Sequence, residues 1–307
     1  MAGVLGVCLV VGIVVSLVVR GHPAYVPGAA LSSPTADPTT ATASTPSTAR
    51  SATASARPSA SGGPHSDPLG ATAAAYVSTR SGTVLAAVYD VSTGQTWSLG
   101  QGKAQDEASV VKLDVLETLL AQRGAGGLSA SDQSLAQSMI EDSDNDSATN
   151  LWDEVGGAAG IRAFNNSARL TDTSPSLCVN CPNFPWPGWG LTTTVPTDQL
   201  TLLKALIGPG PLTKAERDYA LSLMENVTES QRWGVSGGVP AQVTVALKNG
   251  WLPLDTADTD WQINSVGWIS GQGRNYLMAV LSTGNPSEQY GIDTIDQLAA
   301  MVWNRLG

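Results

Sequence analysis

The chain has 307 residues, a formal net charge of −10 and a sequence pI of about 4.5. Because proteins that bind nucleic acids need a basic surface, this charge excludes nucleic acid as an expected partner. The two histidines, His22 and His65, precede the region with regular apolar patterning, so we expect no metal site, no cofactor and no histidine base. A hydrolase with this sequence would need lysine, aspartate or glutamate as its base.

The N-terminal segment is apolar. Residues 2–19 carry no charge, and a run of this length is just sufficient to cross a bilayer as a helix. The run is also compatible with a signal peptide, although no basic residues precede it. Arg20 favours a cytoplasmic location for the end of this run, whereas the composition of the next segment favours the opposite orientation. We assign residues 1–26 to a signal peptide or a membrane anchor and leave both alternatives open.

Residues 27–68 consist mainly of Ser, Thr, Ala and Pro. Such a segment cannot bury enough apolar surface to fold, so its composition predicts a disordered linker. A Ser/Thr/Pro-rich stalk after an apolar segment is typical of proteins displayed outside the cell. We therefore expect an extracytoplasmic protein, membrane-anchored or secreted and monomeric, whose folded domain spans residues 69–307.

The folded domain has strand patterns at both ends and helical patterns between them. This arrangement predicts an α+β fold, in which one antiparallel sheet is assembled from both ends of the domain and is flanked by helices with a helical lobe. A turn-rich stretch at 171–195 interrupts the helical region. The predicted strands lie within 83–100, which includes a turn, and at 241–251, 261–271 and 274–284. The predicted helices cover 109–123, 131–142, 146–155, 158–167, 196–208, 212–227 and 292–306.

The first candidate for a catalytic motif lies in the segment DEASVVKLDVLETLL, residues 106–120. Ser109 and Lys112 are three residues apart at the start of a predicted helix, so their side chains lie on the same face. A serine nucleophile needs a base, and a lysine in apolar surroundings can be one. The helix N-terminus would also direct backbone N–H groups toward an oxyanion. Taken alone, S-x-x-K more often marks two solvated residues, because many helices contain it by chance.

Two further motifs follow in the sequence. S-D-N at residues 143–145 comes directly after a helical run, and K-N-G at residues 248–250 ends an apolar strand. The order S-x-x-K, S-D-N and K-[TS]-G, on a helix, a loop and a strand, resembles the penicillin-recognising serine enzymes, which include class A β-lactamases and D,D-peptidases. The resemblance covers residues 69–307. The segment GLTTTVPTDQLTLL, residues 190–203, also resembles the helix after the active-site loop of class A β-lactamases.

The resemblance implies roles for four polar side chains. Ser109 would be the acylated nucleophile and Lys112 its general base. Ser143 would relay a proton to the leaving nitrogen, and Asn145 would bind the substrate amide. Residues 144–146 form an alternative triplet, but Ser143 is preferred because a hydroxyl group can relay a proton.

The strand motif would complete the substrate-binding site. By the same resemblance, Lys248 provides positive charge to a substrate carboxylate. Asn249 replaces the usual Thr or Ser but can still donate a hydrogen bond. Gly250 continues the motif, and the backbone N–H groups of the nucleophile and of Trp251 would form the oxyanion hole. Arg232 has two open interpretations, a second contact to the carboxylate or a surface salt bridge.

The loop at residues 164–195 departs from the class A pattern. Class A β-lactamases carry a glutamate there, in E-x-x-L-N, that activates the deacylating water. This loop contains no glutamate, and Asp172, its sole carboxylate, lacks the surrounding pattern. We therefore expect an acyl-enzyme formed from a β-lactam to persist, with rapid β-lactam hydrolysis impaired or absent.

The same loop contains two cysteines and several aromatic residues. Outside the cell, Cys178 and Cys181 are expected to form a small disulfide loop. The tryptophans have two interpretations: they line the rim of a cleft, or they pack the loop onto the sheet, which large aromatic residues do more often. The aromatic residues concerned are Phe184, Trp186 and Trp189 in the loop, and Trp233, Trp251, Trp261 and Trp268 near the strand motifs.

Taken together, these features predict an extracytoplasmic serine hydrolase acylated at Ser109 by a β-lactam, a cell-wall peptide or a related ester or amide. The alternative is a catalytically silent module on the same fold that binds cell wall or a partner protein. Retention of Ser109, Lys112, Ser143 and Lys248 together favours the enzyme.

Overall fold

The structure is a computed structural model of the full chain. The predicted N-terminal anchor and residues 27–64 of the predicted linker lie outside the described residues, as do Phe184 and Trp186. Across the part of the chain that is described, no helix combines the length and the apolar character needed to span a bilayer. The structure describes residues 65–181, 188–255 and 257–307.

The observed elements follow the predicted alternation. Among the described residues, two short strands pair with each other and five further strands form the main sheet. The strands are β1 (Thr83–Asp90), β2 (Thr96–Leu99), β3 (Gln105–Asp106), β4 (Thr193–Thr194), β5 (Thr244–Pro253), β6 (Trp261–Gly271) and β7 (Arg274–Asn285). The helices are α1 (Ala71–Val77), α2 (Val111–Arg123), α3 (Ala130–Glu141), α4 (Asn145–Glu154), α5 (Gly157–Ala168), α6 (Pro196–Ile207), α7 (Lys214–Glu225) and α8 (Glu288–Arg305).

The main sheet is antiparallel, with strand order β2-β1-β7-β6-β5. Strand β1 pairs with β7 along its whole length, with Thr83 opposite Thr283. The first and last strands of the domain are therefore neighbours inside one sheet. This topology confirms the predicted α+β fold built from both ends of the domain.

The sheet separates two apolar cores because successive side chains of a strand point to opposite faces. Ala87 and Ala279 face one core, which contains the buried side chains of α2 to α7. Val88 and Val280, the next residues along the same strands, face the other core, which contains the buried side chains of α8. The helical lobe and α8 therefore cover opposite faces of the sheet.

Local signals in the sequence explain several helix boundaries. Ser129 and Asp132 form a capping box at the start of α3, and Thr213 and Glu216 form another at the start of α7. Each box satisfies backbone N–H groups that have no partner inside the helix. Pro196 occupies the first turn of α6, where its missing N–H costs no helical hydrogen bond.

The loop before α6 contains the predicted disulfide between Cys178 and Cys181. Gly188 packs directly against it and donates its backbone N–H to the carbonyl of Cys178 at 2.8 Å. A Cβ atom at Gly188 would lie 2.5 Å from the Sγ of Cys181, so only glycine fits this approach. The disulfide and Gly188 together hold the two ends of the loop tip side by side.

Candidate active site

Ser109 lies on a short 3₁₀ turn, Ala108–Val110, that leads into α2. The α-helix begins at Val111, two residues later than the sequence pattern predicts, because the preceding turn is 3₁₀. Within that turn, Ala108 adopts a left-handed backbone conformation with φ of 49°. Such a conformation is unfavourable for a residue with a side chain and occurs often at functional sites. The side chain of Asn264 on β6 holds the turn, since its Nδ2 donates to the carbonyl oxygens of Asp106 at 2.8 Å and Glu107 at 2.9 Å.

Gly250 on β5 allows the strand to lie directly against this turn. A Cβ atom at Gly250 would lie 2.7 Å from the carbonyl oxygen of Glu107 and 2.8 Å from the backbone nitrogens of Ser109 and Val110. All three are backbone atoms, which cannot turn aside as a flexible side chain can. The glycine of the K-N-G motif therefore sets the distance between the strand and Ser109.

The replacement Gly250→Ala is expected to displace the Ser109 turn and to destabilise the fold by about 1–3 kcal/mol, as overpacking typically does. Thermal unfolding and the labelling rate of Ser109 with a fluorophosphonate probe would measure the two effects. Gly126→Ala is the matched control, because a Cβ there meets nothing within 4 Å. An unchanged unfolding temperature together with an unchanged labelling rate in Gly250→Ala would contradict the close approach.

Lys112 is fully buried one helical turn after Ser109. Its Nζ donates to the carbonyl oxygen of Ser143, to the Oγ of Ser143 at 3.1 Å and to the Oδ1 of Asn145 at 2.7 Å. Within the described chain, its hydrogen bonds go to these two residues rather than to the Oγ of Ser109. The structure thus brings three predicted site residues into one hydrogen-bonded group beside Ser109.

Burial changes the protonation of the two lysines. It lowers the pKa of Lys112 to about 7, an effect that the nearby Asp144 carboxylate partly opposes. Burial also lowers the pKa of Lys248 well below its usual value, and the neighbouring Lys112 charge lowers it further. A neutral amine carries a lone pair, so a lysine with such a pKa can accept a proton at neutral pH.

The hydroxyl of Ser143 lies between these two lysines. Lys248 Nζ donates to the Oγ of Ser143 at 2.9 Å and to the carbonyl of Asn249 at 3.0 Å. The carboxylate of Asp144 accepts a hydrogen bond from the backbone N–H of Ser147 and caps α4. The S-D-N motif therefore has a divided role, in which its serine and asparagine contact lysine and its aspartate fixes the helix that follows.

Ser109 opens into a cavity of about 180 Å³. The cavity brings together Ser109, Ser143, Asn145 and Trp251 of the predicted site, whereas Lys112 and Lys248 are buried behind it. The lining residues are Ala108, Ser109, Ser143, Asn145, Trp189, Gly190, Trp251, Leu252, Pro253 and Trp261.

Asn249 is placed differently from the prediction. Its side chain is fully buried, and its Nδ2 donates to the carbonyls of Gln231 at 2.7 Å and Trp233 at 3.1 Å. Because side chains alternate along β5, Asn249 points away from the face that carries Lys248 and Gly250. Both amide hydrogens are used internally, so the expected donation to a substrate carboxylate is not supported.

Arg232 also differs from both of its sequence interpretations. Its guanidinium donates to the backbone carbonyl of Glu225, at the end of α7. It lines a separate surface cavity, together with Glu225 and Glu229, and it forms no salt bridge among the described residues. The structure therefore does not bring Arg232 to Ser109.

The tryptophans divide between the two interpretations. Trp189, Trp251 and Trp261 line the cavity beside Ser109, whereas Trp268 lies elsewhere and donates its Nε1 to the Oδ1 of Asn275 at 2.7 Å. Trp233 packs edge-on against Trp251, with ring centroids 6.0 Å apart. Trp189, Trp251 and Trp261 thus form part of the cavity wall. Trp233 packs against Trp251 without lining the cavity itself.

Asp172 lies at the surface of the loop that lacks a glutamate. Its carboxylate accepts a hydrogen bond from the hydroxyl of Thr171 at 2.8 Å, and its backbone N–H donates to Asp198 at 2.7 Å. The side chain is exposed and does not line the Ser109 cavity. Asp172 is therefore not placed to activate a water at Ser109.

Three buried acids, one before the Ser109 turn and two on α2, were not predicted from the sequence. Glu107, Asp114 and Glu117 are fully buried. Both carboxylate oxygens of Glu107 and of Glu117 have no hydrogen-bond partner in the described chain, and Asp114 accepts one bond from Asn165 at 2.8 Å. Burial raises the pKa of Asp114 to about 7 and raises the pKa values of the two glutamates well above their usual range. For Asp114 and Glu117, the available signal was their position inside a mostly apolar helix.

Comparison with known proteins assigns the chain to a family. A family model described as "Beta-lactamase enzyme family" matches residues 131–306, which include the S-D-N and K-N-G motifs. The Mycobacterium bovis protein named "Putative lipoprotein LppW" is 30% identical over 225 residues, covering 70% of this chain and 68% of that protein. The Mycobacterium tuberculosis protein of the same name matches to the same extent.

Solved structures show the same fold. A β-lactamase from Chitinophaga pinensis aligns with a TM-score of 0.66 and 20% identity, covering 75% of this chain and 96% of that one. A class A β-lactamase representative from Bacteroides cellulosilyticus aligns with a TM-score of 0.68 and 17% identity, covering 78% and 99%. These likenesses confirm the fold, and the sequence matches confirm the resemblance: the chain belongs to the Beta-lactamase enzyme family.

Proposed function

We propose that this protein is an extracytoplasmic serine hydrolase that acts by acyl transfer through Ser109. The observation that carries the proposal is the convergence of Ser109, Ser143 and Asn145 on one cavity, with Lys112 hydrogen-bonded directly behind them. The lowered pKa of Lys112, about 7, supports its role as a base at neutral pH.

The reaction would begin when neutral Lys112 accepts the proton of the Ser109 hydroxyl. The Oγ of Ser109 then bonds to the substrate carbonyl carbon, and the electron pair of the carbonyl moves onto its oxygen. The backbone N–H groups of Ser109 and Trp251 would stabilise this oxyanion. When the tetrahedral intermediate collapses, the bond to the leaving group breaks, and the leaving group receives a proton from Lys112 through the hydroxyl of Ser143.

The cycle would close by hydrolysis of the ester on Ser109. Water adds to the acyl carbon, the carboxylic acid departs, and the Oγ of Ser109 regains a proton. Asp172 is exposed on the loop and outside the cavity, so it is not the base for this step. We therefore expect slow release of an acyl group derived from a β-lactam.

Labelling of the full chain tests the proposal. A fluorophosphonate probe and a fluorescent penicillin are expected to label the wild type and to leave Ser109→Ala unlabelled, because the bond forms at the Oγ of that serine. Ser222→Ala is the control, since Ser222 is exposed and its hydroxyl bonds only within its own helix. The penicillin label is expected to persist on Ser109. Fast steady-state turnover of a chromogenic cephalosporin would contradict the expected slow release of the acyl group.

A catalytically silent binding module is the second candidate. It is favoured by the internal hydrogen bonds of Lys112 and by the use of Asn249 to hold residues 231–233. This candidate predicts that a folded wild-type protein is labelled by neither probe. The labelling experiment therefore separates the two candidates directly.

The proposed location is outside the cytoplasmic membrane, with residues 1–26 as anchor or signal and residues 27–68 as linker. The composition of the linker supports this location, and the name of the Mycobacterium bovis relative describes that protein as a lipoprotein. Cell-wall peptides, β-lactams and related esters or amides are the substrates within reach of such a protein.

A further inference from the structure

We propose that the cavity beside Ser109 selects an uncharged ester or amide with one phenyl-sized apolar group next to its reacting carbonyl. This inference rests on the proposed acyl transfer at Ser109. It differs from recognition through a substrate carboxylate, which the resemblance to penicillin-recognising enzymes implies for the K-N-G motif.

Most of the cavity wall is apolar. Trp251, Leu252, Pro253 and Trp261 line it, and Trp189 adds an aromatic ring near the S-D-N motif, with its centroid 5.1 Å from the Nζ of Lys112. The polar side chains that reach the cavity, Ser109, Ser143 and Asn145, are all uncharged and lie together at the reacting end. A bound substrate would therefore have its carbonyl at the polar end and an apolar group against the tryptophans.

The size of the cavity limits that apolar group. Its volume is about 180 Å³, and an apolar cavity of about 150 Å³ is sufficient to bind benzene. One aromatic ring or a branched alkyl group of similar volume fits within this space, and a fused two-ring group would extend beyond it. Contact with tryptophan faces would add stacking to the burial of a ring.

The groups expected to receive a carboxylate are engaged elsewhere. The amide hydrogens of Asn249 go to the carbonyls of Gln231 and Trp233, and Arg232 donates to the carbonyl of Glu225. Lys248 is fully buried and donates to the Oγ of Ser143 and to a backbone carbonyl.

Among the described residues, no charged side chain lines the cavity. Moving an ionised carboxylate out of water without a partner carries a large free-energy cost. A substrate with a carboxylate near its reacting bond is therefore expected to acylate Ser109 more slowly than an uncharged one. The fluorescent penicillin carries such a carboxylate, so it is expected to label Ser109 more slowly than the fluorophosphonate probe does.

Two esters of phenylacetic acid test the inference on the full chain. Their leaving groups are methyl 4-hydroxybenzoate, which is neutral, and 4-hydroxybenzoate, which carries a carboxylate at the same position. Release of the phenol is measured, and each rate is divided by the rate of alkaline hydrolysis of the same ester. We expect the neutral ester to acylate Ser109 at least tenfold faster, and an equal or faster reaction of the charged ester would overturn the inference.

The fluorophosphonate labelling separates failure of the inference from failure of the proposed function. If the probe labels Ser109 but neither ester reacts, the assigned substrate class is wrong while acyl transfer stands. If neither the probe nor the esters react with a folded protein, the proposed function fails, and the inference fails with it.

A pair of tryptophan variants tests the size limit. Trp261→Leu enlarges the cavity and is expected to raise the rate with a 2-naphthylacetyl ester, relative to the phenylacetyl ester, by about tenfold. Trp268→Leu is the matched control, because Trp268 lies outside the cavity and bonds to Asn275. An unchanged ratio in Trp261→Leu, or an equal change in both variants, would contradict the assigned cavity.

Discussion

Replacement of Lys112 with methionine is expected to slow acylation of Ser109 by about 10²–10⁴-fold, which is the usual contribution of a positioned general base. Methionine keeps an unbranched side chain of similar length in the buried position but cannot accept a proton. Stopped-flow or gel-based labelling with the fluorophosphonate probe measures the rate. Lys214→Met is the control, because Lys214 is exposed on α7 and pairs with Asp218 one turn away.

The pH dependence of the wild type tests the same role independently. The pKa of Lys112 is about 7, so below pH 7 most molecules carry the protonated lysine, which cannot act as a base. The acylation rate is therefore expected to rise about tenfold per pH unit below 7 and to level off above it. A rate that is flat between pH 5 and 8, or a fast Lys112→Met variant, would remove Lys112 from the mechanism.

Replacement of Glu117 with methionine is expected to stabilise the protein. Glu117 is fully buried on α2, and neither of its carboxylate oxygens has a hydrogen-bond partner in the described chain. Mutational data put the cost of burying an unpaired polar group at about 1–3 kcal/mol, so its removal is expected to raise the free energy of unfolding by that amount. Urea denaturation at pH 5 and pH 8 measures the change, and Glu229→Met, at an exposed site, is the control.

The gain is expected to be larger at pH 8 than at pH 5. Burial raises the pKa of Glu117 well above its usual value of 4.5, so the folded state keeps a proton that the unfolded chain releases. The raised pKa of Glu117 therefore stabilises the folded protein at low pH. This contribution is lost as the pH rises through the pKa that Glu117 has in the folded state. A Glu117→Met variant that is less stable than the wild type at both pH values would contradict this description of the site.

Asp114 contributes to the same pH dependence in the wild type. Burial raises its pKa from 3.8 to about 7, so ionisation of this carboxyl group destabilises the folded state as the pH rises toward neutrality. Helix α2 thus carries two buried acids, Asp114 and Glu117, whose pKa values are raised by burial. Lys112 is on the same helix, and stability and catalysis are expected to respond to pH in opposite directions near neutrality.

Much of the fold could be predicted from local patterns. The apolar residues of β5, β6 and β7 and the capping residues of α7 are present in the sequence itself, and most observed elements lie close to the predicted ranges. The order of the three motifs also predicted which elements would meet, because the resemblance supplied the topology. These predictions depend on residues within one element or on motif order.

The orientation of individual side chains could not be predicted in the same way. Lys248 and Asn249 are adjacent on β5, but the strand sends them to opposite faces, and Asn249 meets carbonyls of the segment before the strand. The contact of Arg232 with Glu225 likewise depends on how α7 ends relative to the next turn. Such contacts join parts of the chain whose relative position is set by tertiary packing alone.

The burial of α2 on all sides could also not be predicted from the spacing of its apolar residues. Every residue of the helix from Val111 to Leu120 is buried, so its acids do not lie on a solvent-facing stripe as an amphipathic helix would place them. A helix enclosed on all sides is recognised from its neighbours in space. The complete burial of Asp114 and Glu117 therefore follows from the packing of the lobe around α2.

Because β1 pairs with β7, the centre of the sheet can form only after the last strand has been synthesised. Thr83 lies opposite Thr283, so the central ladder joins segments made near the beginning and near the end of translation. Until the last strand is available, β1 and β6 each lack a neighbour, and contacts of such large sequence separation form slowly. Strand β5, which sets the position of Ser109 through Gly250, joins the sheet only through β6. A nascent or truncated chain that ends before β7 would therefore hold Ser109 and both lysines without the sheet that positions them, so the proposed acyl transfer would require the complete domain.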